Sequence, residues 1–292
     1  MLRSQMPHLT DAPLTPQIAG KGLSDCKIRI GWYTNHANSR SIVHSHPYFE
    51  IVMVMSGAAL YSADGVLYPM APGEFILFPS GSYHSARFGS DSENSERVVL
   101  QIDKDFLQQR AAALAARGVF VSLDHVLVYT EEAAGIFDIR GLLDRIANAS
   151  GFDDDTRGIA YESELTELLL ILSALSGKKS VARSSASNVL VKKVVSYLQL
   201  HFTDQTLTVE KLSAHFFVTR EHLSRTFKAY TLESVHNYLL QLRMQRVRSL
   251  IAAGTPVLSA AEESGFSNYT SFVKSFRKLY NMSPSDYRKG TV

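Results

Sequence analysis

Among its 292 residues the chain holds one cysteine and one tryptophan. A single thiol, Cys26, excludes an intramolecular disulfide framework and is expected to be an inert strand residue. Long hydrophobic runs are missing as well. The most apolar window, Leu165 to Leu175, is too short to cross a bilayer and is bordered by Glu164, so no membrane is expected as a partner. The opening MLRSQMPHLTDAP lacks a basic stretch followed by an apolar one, so no secretory signal is expected and the cytoplasm is the default compartment. There is no phosphate-cradling glycine-rich loop, no nucleophile elbow and no carboxylate pair that needs a catalytic explanation, which argues against an enzyme.

What is present is ordinary in bulk and uneven in distribution. Apolar residues make up 45% and charged residues 20%, as in globular protein, and the length allows two domains with separate cores. The net charge of +2 conceals an asymmetry. Residues 188–292 hold 14 Lys and Arg against 7 Asp and Glu, a net of +7, whereas residues 1–187 hold 16 against 21, a net of −5. A basic end joined to an acidic remainder suggests that one end meets a polyanion and the other does not.

From Cys26 to Ile102 the chain reads as short strands separated by turn signals. Asp64-Gly65 between AALYSA and VLYPM is a two-residue hairpin signal, Pro72-Gly73 precedes EFILFP, and RVVLQI closes the series. Such strands suggest a sandwich or small barrel over residues 1–103. A helical connector, 104–177, follows, with helices expected over DFLQQRAAALAARG, EEAAGIFDIRGLLDRIANAS and IAYESELTELLLILSALSG. On the last, Tyr161, Leu165, Leu168, Leu169, Leu172 and Leu175 form one apolar face, which needs either a second copy or its own barrel to cover it. KKSVARSSAS lies within the expected linker, 178–190, and everything after it reads as helical.

The C-terminal part carries a repeat. LSRTFKAY (Leu223–Tyr230) and FVKSFRKL (Phe272–Leu279) align at an offset of 49 residues, pairing Arg225 with Lys274, Phe227 with Phe276 and Lys228 with Arg277. Each copy follows a short apolar helix and a tight turn, at Phe217-Val218 and at Gly265-Phe266. Thr208 and Thr219 can cap helices of the first unit, and Ser267 or Asn268 the second helix of the second. Helix, short turn and helix with a basic outer face is a helix-turn-helix, here over 209–230 and 257–280. SVHNYLLQLRMQRVRSLIAAG between them is a continuous helix, a rigid spacer suited to successive major grooves roughly 34 Å apart.

LSRTFKAY…YLLQLRMQRVRSLI…ESGFSNYTSFVKSFRKLYNMSPSDYRK resembles the DNA-binding domain of AraC/XylS-type transcriptional regulators, across residues 191–289. The resemblance implies base contacts from Arg220, Glu221, Ser224 and Arg225 on the first recognition helix, and from Tyr269, Thr270, Val273 and Lys274 on the second. Arg or Lys can donate to guanine, Glu can accept from cytosine N4, and Val can meet a thymine methyl. Lys228, Arg243, Arg246, Arg277 and Lys278 are candidates for phosphates, which give affinity without sequence choice. Two departures carry expectations. Leu232 and Asn281 stand where the family has glycine, and leucine does not readily turn left-handed, so the first recognition helix is expected to end differently. Ala260 and Ser264 replace larger apolar residues, so the second motif is expected to pack more loosely.

HSHPYFEIVMVMSG (His44–Gly57), with spacing His-x-His-x3-Glu-x6-Gly, resembles the first motif of the cupin barrel family; GEFILFPSGSYH (Gly73–His84) resembles the second. The family's last expected residue, an asparagine, is Phe88 here. His44, His46 and Glu50 share a strand face if no bulge intervenes at Pro47. The resemblance implies that His44, His46, Glu50 and His84 sit together. Three readings follow: a divalent metal site, a metal-free pocket for a small effector, or histidines that serve structure only. Tyr48, Tyr61, Tyr68, Tyr83 and Phe88 offer aromatic surface for a sugar face or an aromatic acid.

The fold expected is α+β in two domains: an N-terminal cupin-like β-barrel with a helical connector, then an all-α double helix-turn-helix. Promoter DNA, a small-molecule effector, RNA polymerase and a second copy of the chain are the partners the resemblance implies. The alternative is a metal-dependent cupin enzyme or metal sensor with an appended DNA-binding module.

Overall fold

The computed structural model describes residues 8–10, 27–37, 39–89, 94–176 and 186–291. Strands β1 (His8–Thr10), β2 (Ile28–Asn35), β4 (Tyr48–Ser56), β7 (Phe75–Phe78), β9 (Ser95–Asp103) and β10 (Leu127–Tyr129) form one sheet, in the order β1-β2-β9-β4-β7-β10. Strands β3 (Arg40–His44), β5 (Ala59–Ala63), β6 (Val66–Met70), β8 (His84–Phe88) and β11 (Ala186–Ser187) form the other, in the order β11-β6-β5-β8-β3. The Asp64-Gly65 turn joins β5 to β6 with both residues left-handed, at φ 49° and 76°, as a two-residue hairpin requires.

Period-two alternation gives each sheet two different faces. On β4, Val52 and Val54 point between the sheets, where they meet Tyr61, Ile76, Phe78, Phe88 and Val99. Ile51 and Met53 point outward into a second cluster with Phe75, Leu100 and the connector helices. Those helices are α1 (Lys104–Ala115), α2 (Glu131–Ile136), α3 (Ile139–Asn148) and α4 (Asp154–Ser176). The apolar stripe of α4, including Leu165, Leu169 and Leu172, is fully buried in that cluster, so its own barrel covers it.

The connector differs from the sequence reading in two places. It contributes a strand, β10, paired antiparallel with β7. The helix expected over 131–150 is broken at Asp138, which takes φ 46° and caps α3 by accepting from the Gly141 N–H at 3.0 Å. A side chain that competes for backbone donors favours such a break. Within the expected linker, Ala186 and Ser187 pair with β6; its residues 178–185 and Cys26 lie outside the described residues.

The C-terminal domain comprises α5 (Val189–His201), α6 (Val209–His215), α7 (Arg220–Thr231), α8 (Val235–Ala252), α9 (Val257–Glu263), α10 (Tyr269–Tyr280) and α11 (Pro284–Thr291). Thr208, Thr219 and Asn268 cap α6, α7 and α10 as the sequence suggests. Two apolar clusters hold it. One, around Leu212, Leu223, Phe227 and Tyr238, also takes in Val43 and Tyr83 of the barrel. The other surrounds Phe272 and Phe276. Ala260 and Ser264 are both fully buried there, and the Ser264 hydroxyl donates to Ala260 O at 2.6 Å. Among the described residues no helix is long and apolar enough to cross a membrane.

α7 ends in the way leucine was expected to prevent. Leu232 adopts φ 62° and donates its N–H to Lys228 O, and Asn281 ends α10 likewise at φ 54°. The Thr231 hydroxyl stiffens the first turn by donating to Phe227 O at 2.8 Å and accepting from the Glu233 N–H at 3.3 Å.

Candidate metal centre and nucleic-acid interface

The stretch from His44 to Glu50 is not one strand. β3 ends at His44, Ser45–Pro47 turn the corner between the sheets, and β4 begins at Tyr48. The expected shared strand face is therefore replaced by a corner, and convergence has another origin. His44 lies opposite His84 in the β3–β8 register, while Glu50 has the inward parity of Val52 and Val54.

The three rings gather closely. Ring centroids of His44 and His84 are 4.4 Å apart, and those of His46 and His84 5.0 Å. Each Nδ1 faces a backbone carbonyl: His44 to Ile42 O at 2.9 Å, His46 to Tyr48 O at 2.9 Å, His84 to Ser82 O at 3.1 Å. A carbonyl only accepts, so each Nδ1 carries the proton and a neutral ring presents a bare Nε2 lone pair. The Nε2 atoms of His46 and His84 are buried without a hydrogen-bond partner and face Glu50 Oε2 and Oε1 at 3.4 and 3.5 Å. Each of the three rings has a ligand atom within 4.8 Å of the other two.

Where Nε2 carries no proton, its buried lone pair would repel the buried carboxylate, and a proton or a cation between them removes that repulsion. Imidazoles fixed through Nδ1–H to carbonyls, beside a carboxylate, are the donor set of a first-row divalent metal. The residues fit such an ion. Burial first, then the neighbouring His84 and His46, pushes His44 down to about 3, so it stays neutral. Burial alone would raise Glu50, but the neighbouring His46 and His84 outweigh it and hold the carboxyl well below its ordinary range.

Around the cluster, Tyr48 stacks on His46 with centroids 3.9 Å apart, and Phe78 stacks on His84 at 4.2 Å. Gln101 Nε2 donates to Glu50 Oε2 at 3.0 Å. Sequence reasoning passed over Gln101, although a polar residue between Leu100 and Ile102 in the strand RVVLQI was its signal. It also passed over Arg97, buried inside the barrel with its guanidinium 4.1 Å from the Phe88 ring centroid. Tyr61 and Phe88 fill the barrel interior.

On the C-terminal domain, Arg220, Glu221 and Arg225 are exposed on α7 and Ser224 is half-buried; Tyr269, Thr270 and Lys274 are exposed on α10 and Val273 is half-buried. Lys228, Arg246, Arg277 and Lys278 are also exposed. Arg220 Nη1 lies 3.0 Å from Glu210 Oε1, an exposed pair that solvent screens. Arg243 sits differently: its Nε donates to Phe202 O and its Nη2 to Asp204 O, both at 2.8 Å. That guanidinium ties the end of α5 to α8 through two backbone carbonyls.

Residues 212–290 match the family model of a helix-turn-helix domain, and residues 32–96 that of a cupin domain. The HTH-type transcriptional activator RhaS of Klebsiella pneumoniae is 28% identical over 263 residues, 85% of this chain and 87% of that protein. The chain is thus similar, along most of its length, to transcriptional regulators of the AraC/XylS type. The Msm operon regulatory protein of Streptococcus mutans is 32% identical over 129 residues; that match spans 42% of this regulator and 46% of the relative. Among solved structures, ToxT from Vibrio cholerae is similar over 90% of this chain and 98% of its own, at 14% identity and a TM-score of 0.42. As in the sequence reading, a cupin-like barrel precedes a double helix-turn-helix, and the regulator binds DNA under effector control.

Proposed function

We propose that the effector of this regulator is a divalent first-row transition ion held by His44, His46, His84 and Glu50, and that the ion governs transcription instead of catalysing a reaction. One observation carries the reading: three imidazoles tied to carbonyls through Nδ1 bring ligand atoms within 4.8 Å of one another, and two of them, His46 and His84, turn Nε2 toward one buried carboxylate. A bound ion supplies positive charge at the point where these donors converge, and this chain's residues orient the rings and exclude water. Arg220, Glu221, Ser224 and Arg225, with Tyr269, Thr270, Val273 and Lys274, read base edges. Lys228, Arg246, Arg277 and Lys278 meet phosphates. The regulator acts in the cytoplasm with RNA polymerase and as a homodimer, for which the exposed Ile159 and Leu170 on α4 offer an apolar contact.

A second reading has its own support. A cavity of about 320 Å³ lies where barrel and C-terminal domain meet, lined by Asp64, Ser80, Ser82, Tyr83, Asp124 and Gln199 among others. It offers hydroxyls, carboxylates and an amide to a small hydroxylated effector, without any metal.

The test is metal analysis of protein purified without chelator, followed by Co²⁺ titration of the wild type, His46→Ala and Glu50→Ala. Uptake of one ion per chain with a visible absorption band, lost in both variants, is expected. Wild-type protein that takes up no cobalt overturns the metal reading.

A further inference from the structure

The barrel's five-stranded sheet touches the C-terminal domain with the face opposite its histidines. Alternation along β8 places the two functions one residue apart, at His84 and Ser85. Ser45 stands between His44 and His46, and Ser85 follows His84. Ser62 lies directly opposite Ser85 in the β5–β8 register.

These serines bond to the two helices that organise the first helix-turn-helix. The Ser62 hydroxyl donates to Tyr230 O at 2.8 Å, and the Ser85 hydroxyl to Thr231 O at 3.1 Å. Tyr230 and Thr231 are the last two residues of α7, whose carbonyls have no donor within the helix. Gln245 Nε2 of α8 donates to Ser45 O at 3.0 Å. The barrel therefore caps the end of a recognition helix, at the turn where Leu232 is held left-handed. The outer face of that helix, with Arg220, Glu221 and Arg225, stays exposed, so this contact leaves the DNA-reading surface open.

We propose that the histidine cluster and α7 form one linked switch, in which an ion bound at the cluster holds the barrel serines in place and thereby orders the C-terminal end of the recognition helix. The inference rests on the metal reading above and adds its regulatory consequence. An ion between them draws the donors around β3, β4 and β8 together; Ser45 and Ser85 move with the adjoining histidines through single peptide units, and Ser62 follows Ser85 across the β5–β8 pair. Docked serines oppose fraying of α7, so loading favours DNA binding. By reciprocity, DNA binding tightens ion binding by the same factor.

Amide hydrogen exchange on the full-length protein, with Co²⁺ or with EDTA, tests this. Cobalt is expected to slow exchange across residues 225–232 by roughly 5–150-fold, the usual range of such couplings. α10, which packs against α9 and α11, is the internal control and should change far less. The double variant Ser62→Ala/Ser85→Ala should take up cobalt with an unaltered absorption band yet lose the selective slowing. Gln245→Ala, which breaks the other joint, should lose part of it. A wild type that binds cobalt while residues 225–232 respond no more than α10 overturns the switch and leaves the metal site standing. So does a double variant that responds like the wild type. A wild type that binds no cobalt overturns both.

Discussion

A left-handed leucine is costly, and Leu232 shows where that cost is met. Holding an L-residue at φ 62° disfavours the fold by about 1–2 kcal/mol, because Cβ crowds the following carbonyl. Leu232→Gly removes that crowding while loosening the unfolded chain, so a gain of about 0.5–1 kcal/mol and a higher melting temperature are expected. A lower melting temperature would mean that the half-buried leucine side chain contributes more by packing than its backbone loses. His44 gives a second expectation at this scale. Its folded pKa, about 3, lies below the ordinary 6.5, so between these values the unfolded chain binds more protons. The stabilisation is complete above about pH 6.5 and is lost as pH falls toward 3. In chelator-treated protein, the melting temperature of the wild type should fall more steeply between pH 7 and 5 than that of His44→Gln. Parallel slopes would show that His44 is protonated in the fold.

At the scale of the element, sequence periodicity served helices and strands well and failed where chain segments meet. The helix caps at Thr208, Thr219 and Asn268, the Asp64-Gly65 hairpin and the buried stripe of α4 were all readable, because each depends on neighbours within a few residues. The corner at Ser45–Pro47 was not. Alternation alone predicts that His44, His46 and Glu50 line one strand, and only the second sheet brings His84 to meet them. Ser62 and Ser85 were invisible for a related reason: polar residues on an outward strand face look like solvent-exposed surface until another domain covers them. Arg243 shows the same limit, because a basic residue on a DNA-binding helix has two outlets, phosphate or a neighbouring helix end, and here two carbonyls accept from it. Arg243→Ala should therefore cost about 2 kcal/mol of stability, the range for hydrogen bonds from charged groups. Arg246→Ala, exposed one turn away, should leave stability unchanged while weakening DNA binding. Equal melting temperatures for the two variants would return Arg243 to the phosphate set.

The molecule as a whole separates its charge by domain and then joins the domains through a polar and apolar seam. Residues 188–292 carry +7 and the remainder −5, so the affinity for DNA resides in the C-terminal part while the barrel repels phosphates. Neutralising phosphates releases counterions, with log K falling against log salt at a slope of about −0.9 for each phosphate contact. A fragment of residues 188–292 should bind duplex DNA with a steep negative slope, and residues 1–177 should not bind. Within that slope the two kinds of contact separate. Arg225→Ala, at a base-reading position, should cost about 1–3 kcal/mol on the cognate site and much less on random sequence. Lys228→Ala, one turn along α7, should weaken both alike and flatten the salt slope by about 1. The measurement is a salt titration of both variants, in the full-length protein, against a duplex selected from a random pool and against its shuffled sequence. Equal losses from Arg225→Ala on the two duplexes would make Arg225 a backbone contact, and would move base reading by the first helix-turn-helix to Arg220, Glu221 and Ser224.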